Sequence, residues 1–168
     1  MSSIKDVRIE KVTLNIGVGE SGEELNKAVS ILKLLTGRTP IQTVCTVKQP
    51  TWKIRPGLAI GTKVTLRKSI AEDFLKKALK AKDNILKARC FSKEGNFGFG
   101  VEEYIELPGV KYDPKLGIKG FDVIVNLERK GHRIKRRKIL KSKVGVKQRV
   151  SKDDAIAFMK EKFGVEVQ

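Results

Sequence analysis

The sequence predicts an α+β fold in which helices cover one face of a sheet and leave the other face open. Two observations carry this. Segments of strand period and helix period follow one another as strand, helix, strands, helix, strands, helix. The helical apolar stripes are one-sided, as befits helices laid on a sheet rather than buried all round. With 168 residues, 40% of them apolar and 33% charged, the chain is long enough to bury a core and reads as a single domain over 1–168.

The elements follow in order. In Lys11–Gly17, Val12, Leu14 and Ile16 point one way and Lys11, Thr13 and Asn15 the other. Ser21-Gly-Glu-Glu24 has capping-box spacing and opens a helix with the stripe Leu25, Ala28, Val29, Leu32, Leu35. Ile41–Lys48 is β-branched, with muddier alternation. In Thr62–Lys68, Val64 and Leu66 oppose Lys63, Thr65 and Arg67. Ser69-Ile-Ala-Glu72 opens a second helix with Ile70, Phe74, Leu75, Ala78 and Leu79. Phe97, Phe99 and Val101 mark one strand, and Phe121, Val123, Val125 and Leu127 another. Ser151-Lys-Asp-Asp154 opens a third helix with Ala155, Phe158 and Met159, ending near Gly164. Two long connections, 48–58 and 108–120, are rich in Pro and Gly and are expected at the surface.

Charge is the strongest functional signal. The chain carries +17, from 36 Lys plus Arg against 19 Asp plus Glu. Nine basic residues and no acid lie between Leu25 and Ala71; twelve and no acid lie between Arg129 and Lys152; the rest is net −4. Solubility needs only scattered charge, so this segregation points to a polyanion, with nucleic acid first. The outward residues Lys11, Thr13, Asn15, Lys63, Thr65 and Arg67 offer cations for phosphates and hydroxyl or amide groups for 2′-OH and base edges. They suit structured RNA better than base stacking does, since aromatic residues are few. The run Gly131–Lys138, with Arg133, Lys135, Arg136, Arg137 and Lys138, reads as a mobile arm or loop within 129–150 that orders on RNA, or as an import-like basic patch.

Other chemistry has weaker signals. Gly17-Val-Gly-Glu-Ser-Gly22 has the spacing and the strand-to-helix context of a dinucleotide fingerprint. Glu20 would set a carboxylate against the pyrophosphate, and no acid between Glu24 and Glu72 stands at the ribose position. A tight turn, or a close approach of RNA backbone, accounts for the glycines equally well. Lys119-Gly-Phe121 begins like an RNA-recognition signature but lacks the second aromatic at Val123, so Phe121 reads as core. His132 lies in the basic run, no metal-ligand spacing occurs, and Glu102, Glu103 and Glu106 read as a solvated edge rather than a catalytic pair. The expectation is no enzyme, no cofactor and no metal. Cys45 and Cys90 are expected as free thiols. No apolar h-region follows Met-Ser-Ser-Ile-Lys-Asp and no stretch is long enough to span a membrane, so the cytoplasm is the default compartment.

In combination, Lys11-Val-Thr-Leu-Asn-Ile-Gly-Val-Gly-Glu20, Leu35-Thr-Gly-Arg-Thr-Pro40, Ile54-Arg-Pro-Gly, Ile60-Gly-Thr-Lys-Val-Thr-Leu-Arg67, Gly95-Asn-Phe-Gly-Phe-Gly100 and Gly117-Ile-Lys-Gly-Phe-Asp122 closely resemble the L-five family of large-subunit ribosomal proteins, in its archaeal branch. The resemblance runs in order across nearly the whole chain. It implies an antiparallel sheet with helices on one side and the other face open for 5S ribosomal RNA. It also implies contacts with large-subunit ribosomal RNA, neighbouring 5S-binding proteins, a small-subunit protein across an intersubunit bridge, and peptidyl-site transfer RNA. By position, Asn15 and Thr65 match family residues that face 5S RNA. Arg38 stands where bacterial relatives often have Gln, and its charge fits an RNA contact. The transfer-RNA loop corresponds to 48–58, with Lys48, Trp52, Lys53 and Arg55. The arm after Arg129 differs from bacterial sequences and is assigned to ribosomal RNA. Two rivals remain: a nucleotide-dependent enzyme using the Gly17–Gly22 turn, and a nonspecific basic RNA binder.

Overall fold

A computed structural model describes residues 5–168; the first four, where a targeting signal would begin, lie outside the described residues. The main sheet has five strands in the order β2-β3-β1-β6-β5 and is antiparallel. These are β1 (Val7–Gly17), β2 (Ile41–Val44), β3 (Ala59–Leu66), β5 (Phe97–Val101) and β6 (Phe121–Arg129). A short parallel pair joins β4 (Ile85–Leu86) to β7 (Glu166–Val167). The helices are α1 (Glu23–Thr36), α2 (Lys68–Lys80), a single turn α3 (Arg133–Arg136) and α4 (Lys152–Phe163).

The chain divides into two compact units, each discontinuous in sequence. One comprises Thr13–Leu66 and Phe99–Ile124; the other comprises the segment ending at Val12, Arg67–Gly98 and Val125–Gln168. In the first, α1 buries Leu25, Ala28, Ile31 and Leu32 and packs on β3. Leu14, Ile16, Val64, Leu66, Val123 and Val101 are buried with it. Ile31, absent from the predicted stripe, takes the place assigned to Val29 and Leu35, which are half-buried. In the second unit, α2 buries Ala71, Phe74, Leu75, Ala78 and Leu79, and Ile70 turns to solvent instead. Here α4 buries Ala155 and Met159, while Phe158 is half-buried. Phe91 stacks on Phe97 with ring centroids 4.9 Å apart.

Every predicted strand is present, and the muddy alternation of Ile41–Lys48 has a physical cause. β2 is an edge strand with one neighbour, β3, and Ile41 and Val44 are both exposed. It pairs Ile41 with Lys63 and Thr43 with Gly61, with an irregularity before Val44 opposite Ala59. Gly61 is required by packing: a Cβ there would lie 2.9 Å from the Ile16 carbonyl oxygen and 2.8 Å from Thr43 Oγ1.

The capping predictions divide. Ser151 and Asp154 form the reciprocal box, the Ser151 side chain accepting from the Asp154 N–H and the Ser151 N–H donating to Asp154. Ser21 and Ser69 cap nothing. α1 starts from Gly22 at φ 127°, and α2 is entered through Lys68 at φ 59°, so neither serine hydroxyl occupies a cap position. Both cysteines are free; Cys45 is buried and Cys90 half-buried.

Candidate nucleic-acid interface

In the first unit the outward side of neighbouring strands β1 and β3 carries a polar group of residues. Leu14, Ile16, Val64 and Leu66 face the core, so Thr13, Asn15, Lys63 and Thr65 share the opposite face. Lys63 and Thr65 are exposed; Thr13 and Asn15, on the more central strand, are half-buried. Arg38 is exposed just past Gly37, which closes α1 in the left-handed conformation.

This face is not uniformly cationic. On β6, Asp122 and Ile124 alternate outward beside β1 and are exposed. Asp122 was legible from the same alternation that placed Phe121 and Val123 in the core, but the charge count draws attention only to cations. Asn15 and Asp122 border a hollow of about 360 Å³ lined also by Gly17, Gly100, Glu102 and Gly120. Its floor is low because three lining residues lack side chains. Gly120 has no alternative, since a Cβ would sit 2.7 Å from the Glu102 carbonyl oxygen. Cations toward β3 suit phosphates, while carboxylates and the Asn15 amide toward β6 suit 2′-OH and base N–H groups.

The Gly17–Gly22 turn is not arranged as a phosphate cradle. The Val18 and Gly19 N–H groups both donate to the Ile60 carbonyl, at 3.0 and 2.8 Å. A pyrophosphate fingerprint needs such amides directed at the ligand. Glu24, read as the capping acid, instead accepts from Lys119 (2.6 Å) and Lys27 (2.7 Å). These bonds, Lys119 foremost, lower its carboxyl from 4.5 to about 2. They also tie down the 108–120 connection, together with Tyr104, whose fully buried side chain accepts from the Asp113 N–H.

The 48–58 loop is a narrow finger continuing the β2–β3 hairpin. Cys45 N–H donates to the Leu58 carbonyl and Gly57 N–H to the Cys45 carbonyl. Gln49 and Ile54 exchange bonds of 3.0 and 3.2 Å. A 3₁₀ turn at Pro50–Trp52 and Lys53 at φ 55° close the tip. Trp52 is 71% exposed there, and Lys48, Lys53 and Arg55 are exposed along the same finger. A solvated indole flanked by cations and no acid can stack on a base or ribose while the cations meet phosphates.

In the second unit the outward face is covered. β1 slips parity at Glu10–Lys11, because Ile9 and Val12 are both buried. Glu128 lies at an outward position of β6 and is nevertheless buried. Arginines cover it: Arg8 binds Glu128 at 2.7 Å, and Arg136 binds both Glu128 and Glu10. Two residues expected on the open face belong here instead: Arg67 approaches Glu10 at 3.7 Å, and Lys11 is half-buried.

The basic segment is therefore anchored rather than a free arm. Arg129 binds Asp154 at 2.7 Å and donates to the Lys147 carbonyl. Gln148 donates to the Lys130 carbonyl, and Ser142 N–H to that of Ile134. His132 bonds the Arg129 carbonyl within its own turn. Arg133, Lys135, Arg137 and Lys138 are all exposed at the surface. Glu102 and Glu103 follow β5 and Glu106 closes a 3₁₀ turn, so the three do not share a strand face. Among the described residues no group of His, Cys, Asp and Glu is placed to hold a metal ion, and no helix is long and apolar enough to cross a membrane.

Comparison with known proteins shows the family. Residues 2–55 match the family model of Ribosomal protein L5, and residues 59–158 match the model of that ribosomal family's C-terminus. The chain is 50% identical to the large ribosomal subunit protein uL5 of Methanoregula boonei, over 98% of this chain and all of that protein. It is 52% identical to the uL5 of Nanoarchaeum equitans, over 98% of this chain and 97% of that one. The uL5 of Methanoculleus marisnigri is 47% identical over 99% of this chain and all of its own length. The two family models adjoin at the base of the finger and the identity extends through both compact units, so the chain belongs to the ribosomal protein L5 family.

Proposed function

We propose that the chain is a structural, non-enzymatic constituent of the large ribosomal subunit, acting in the cytoplasm as part of the ribosome. It binds 5S ribosomal RNA with the open face of the first unit, and large-subunit ribosomal RNA with the exposed cations of 129–150. The 48–58 finger contacts peptidyl-site transfer RNA. Neighbouring 5S-binding proteins and a small-subunit protein complete its surroundings.

The observation that carries the reading is the exposed row Lys63 and Thr65 beside Thr13 and Asn15. Neutral hydrogen-bonding groups interleaved with a cation discriminate a folded RNA; charge alone would not. Mechanically, the lysines and arginines release counterions, and the Asn15 amide and Thr65 hydroxyl set register on the RNA.

A competition assay tests this. The protein is titrated with 5S RNA, with an unrelated folded RNA of equal length, and with ATP or NAD. Preference for 5S RNA supports the reading. Equal affinity for both RNAs indicates a nonspecific basic binder, and micromolar nucleotide binding without RNA preference indicates the enzyme alternative.

A further inference from the structure

Three arginines in the second unit converge on two carboxylates. Glu128 is shared, its Oε1 taken by Arg8 and its Oε2 by Arg136. Glu10 Oε1 is shared too, with Arg136 at 2.9 Å and Arg67 at 3.7 Å. The acids are the buried members: the side chains of Glu128 and Glu10 are 8% and 16% exposed, against 53%, 55% and 48% for Arg8, Arg67 and Arg136. These ion pairs engage one terminal nitrogen of each guanidinium, whereas each guanidinium has five N–H donors. The cluster is net +1 and presents its cationic side outward.

A purely structural staple accounts poorly for this. A buried carboxylate such as Glu128 must be paired, but one guanidinium meets that need, and fastening Arg136 needs neither Arg8 nor Arg67. Three guanidiniums gathered around two shared, largely enclosed carboxylates are suited instead to meeting oxyanions, a task in which arginine surpasses lysine. We infer that Arg8, Arg67 and Arg136 form a phosphodiester-binding cluster, with Glu10 and Glu128 as positioning residues that hold the guanidiniums in register. This rests on the reading that the ligand is RNA. It adds Arg8 to the interface and gives two acids a positive role in binding a polyanion.

The sign of one substitution separates preorganisation from bulk charge. In Glu128→Gln the amide can accept from one arginine but presents N–H groups to the other. Bulk electrostatics predicts tighter RNA binding, because a negative charge is lost. Preorganisation predicts weaker binding, by about threefold to tenfold, because a guanidinium is released. The full chain is titrated with 5S RNA and with a plain RNA duplex of equal length across a salt series. Arg8→Ala and Arg67→Ala should each flatten the salt slope by about 0.7–0.9 on both RNAs. Circular-dichroism melts verify folding, and if Glu128→Gln does not fold, the two arginine slopes decide. Unchanged slopes, or a folded Glu128→Gln that binds more tightly, would overturn the cluster. Wild-type protein that prefers 5S RNA while those slopes stay unchanged overturns the cluster alone. Wild-type protein without preference overturns the 5S assignment, and the slopes on the duplex still test the cluster.

Discussion

The two units solve the same problem, an outward sheet face, in opposite ways. The first leaves it open, with neutral Thr13, Asn15 and Thr65 among few charges. The second covers it, with buried Glu128 and half-buried Glu10 under arginines and the basic segment anchored through Arg129 and Asp154. The denser charge thus belongs to the unit in which several cations already have protein partners. Net charge points to a polyanion partner, but it does not distinguish cations held in place by a buried carboxylate, as Arg8 and Arg136 are by Glu128, from cations carried on solvated side chains.

The comparison can be broken most severely by closing the open unit's backbone gaps. Gly120→Ala places a Cβ 2.7 Å from the Glu102 carbonyl oxygen, and Gly61→Ala one 2.9 Å from that of Ile16. Each should destabilise by about 1–3 kcal/mol, as overpacking does, read as a lower urea midpoint at unchanged m-value. Unaltered midpoints would show that the strands yield more easily than their geometry implies.

The finger gives the next effect. Lys53→Ala with Arg55→Ala should lower peptidyl-site transfer-RNA affinity by about a hundredfold or more, since each charge-assisted hydrogen bond contributes about 1.5–3 kcal/mol. Isolated 5S RNA affinity should hold. Loss of 5S binding in this double variant would move the finger onto that RNA.

In the covered unit, Ser151→Ala removes the one capping box formed as the sequence predicts, and should cost about 1 kcal/mol in thermal or urea unfolding. Asp154 also binds Arg129, and its carboxyl is held below the ordinary range, first by the Ser151 backbone N–H. The smallest effect belongs to Glu24, whose carboxyl lies at about 2. A depressed carboxyl contributes stability that is present above about pH 4.5 and lost as pH falls toward 2. Glu24→Gln should lower stability slightly above about pH 4.5 and converge with the wild type as pH falls toward 2, flattening the profile over that window; the difference is small because the group is well solvated. An identical acid limb in the variant would remove Lys119 as a partner that matters.

The strands were legible because alternation is enforced by burial: Val12, Leu14, Ile16, Val64 and Leu66 could not exchange faces with their neighbours without emptying the core. Two of three caps were misread because capping depends on dihedrals that composition does not specify; the left-handed entry at Lys68 displaces Ser69 from the cap. Counting charge along the chain could not reveal that Arg136 meets Glu10, since those residues are brought together only by folding. Nor could glycine spacing show that the Val18 and Gly19 amides are taken by Ile60. Strand period alone places Asn15 and Thr65 outward, and the structure keeps both on that face.

Under the proposed function, neutral groups in one unit specify RNA and charges in the other only hold it. The most direct measurement compares 5S RNA binding of Asn15→Ala/Thr65→Ala with that of Arg133→Ala/Lys135→Ala across a salt series, against an unrelated RNA of equal length. The first variant should lose 5S preference by about tenfold or more with an unchanged salt slope. The second should weaken both RNAs alike and flatten the slope by about 1.4–1.8. Retained 5S preference in the first variant, or a preference lost only in the second, would contradict the account.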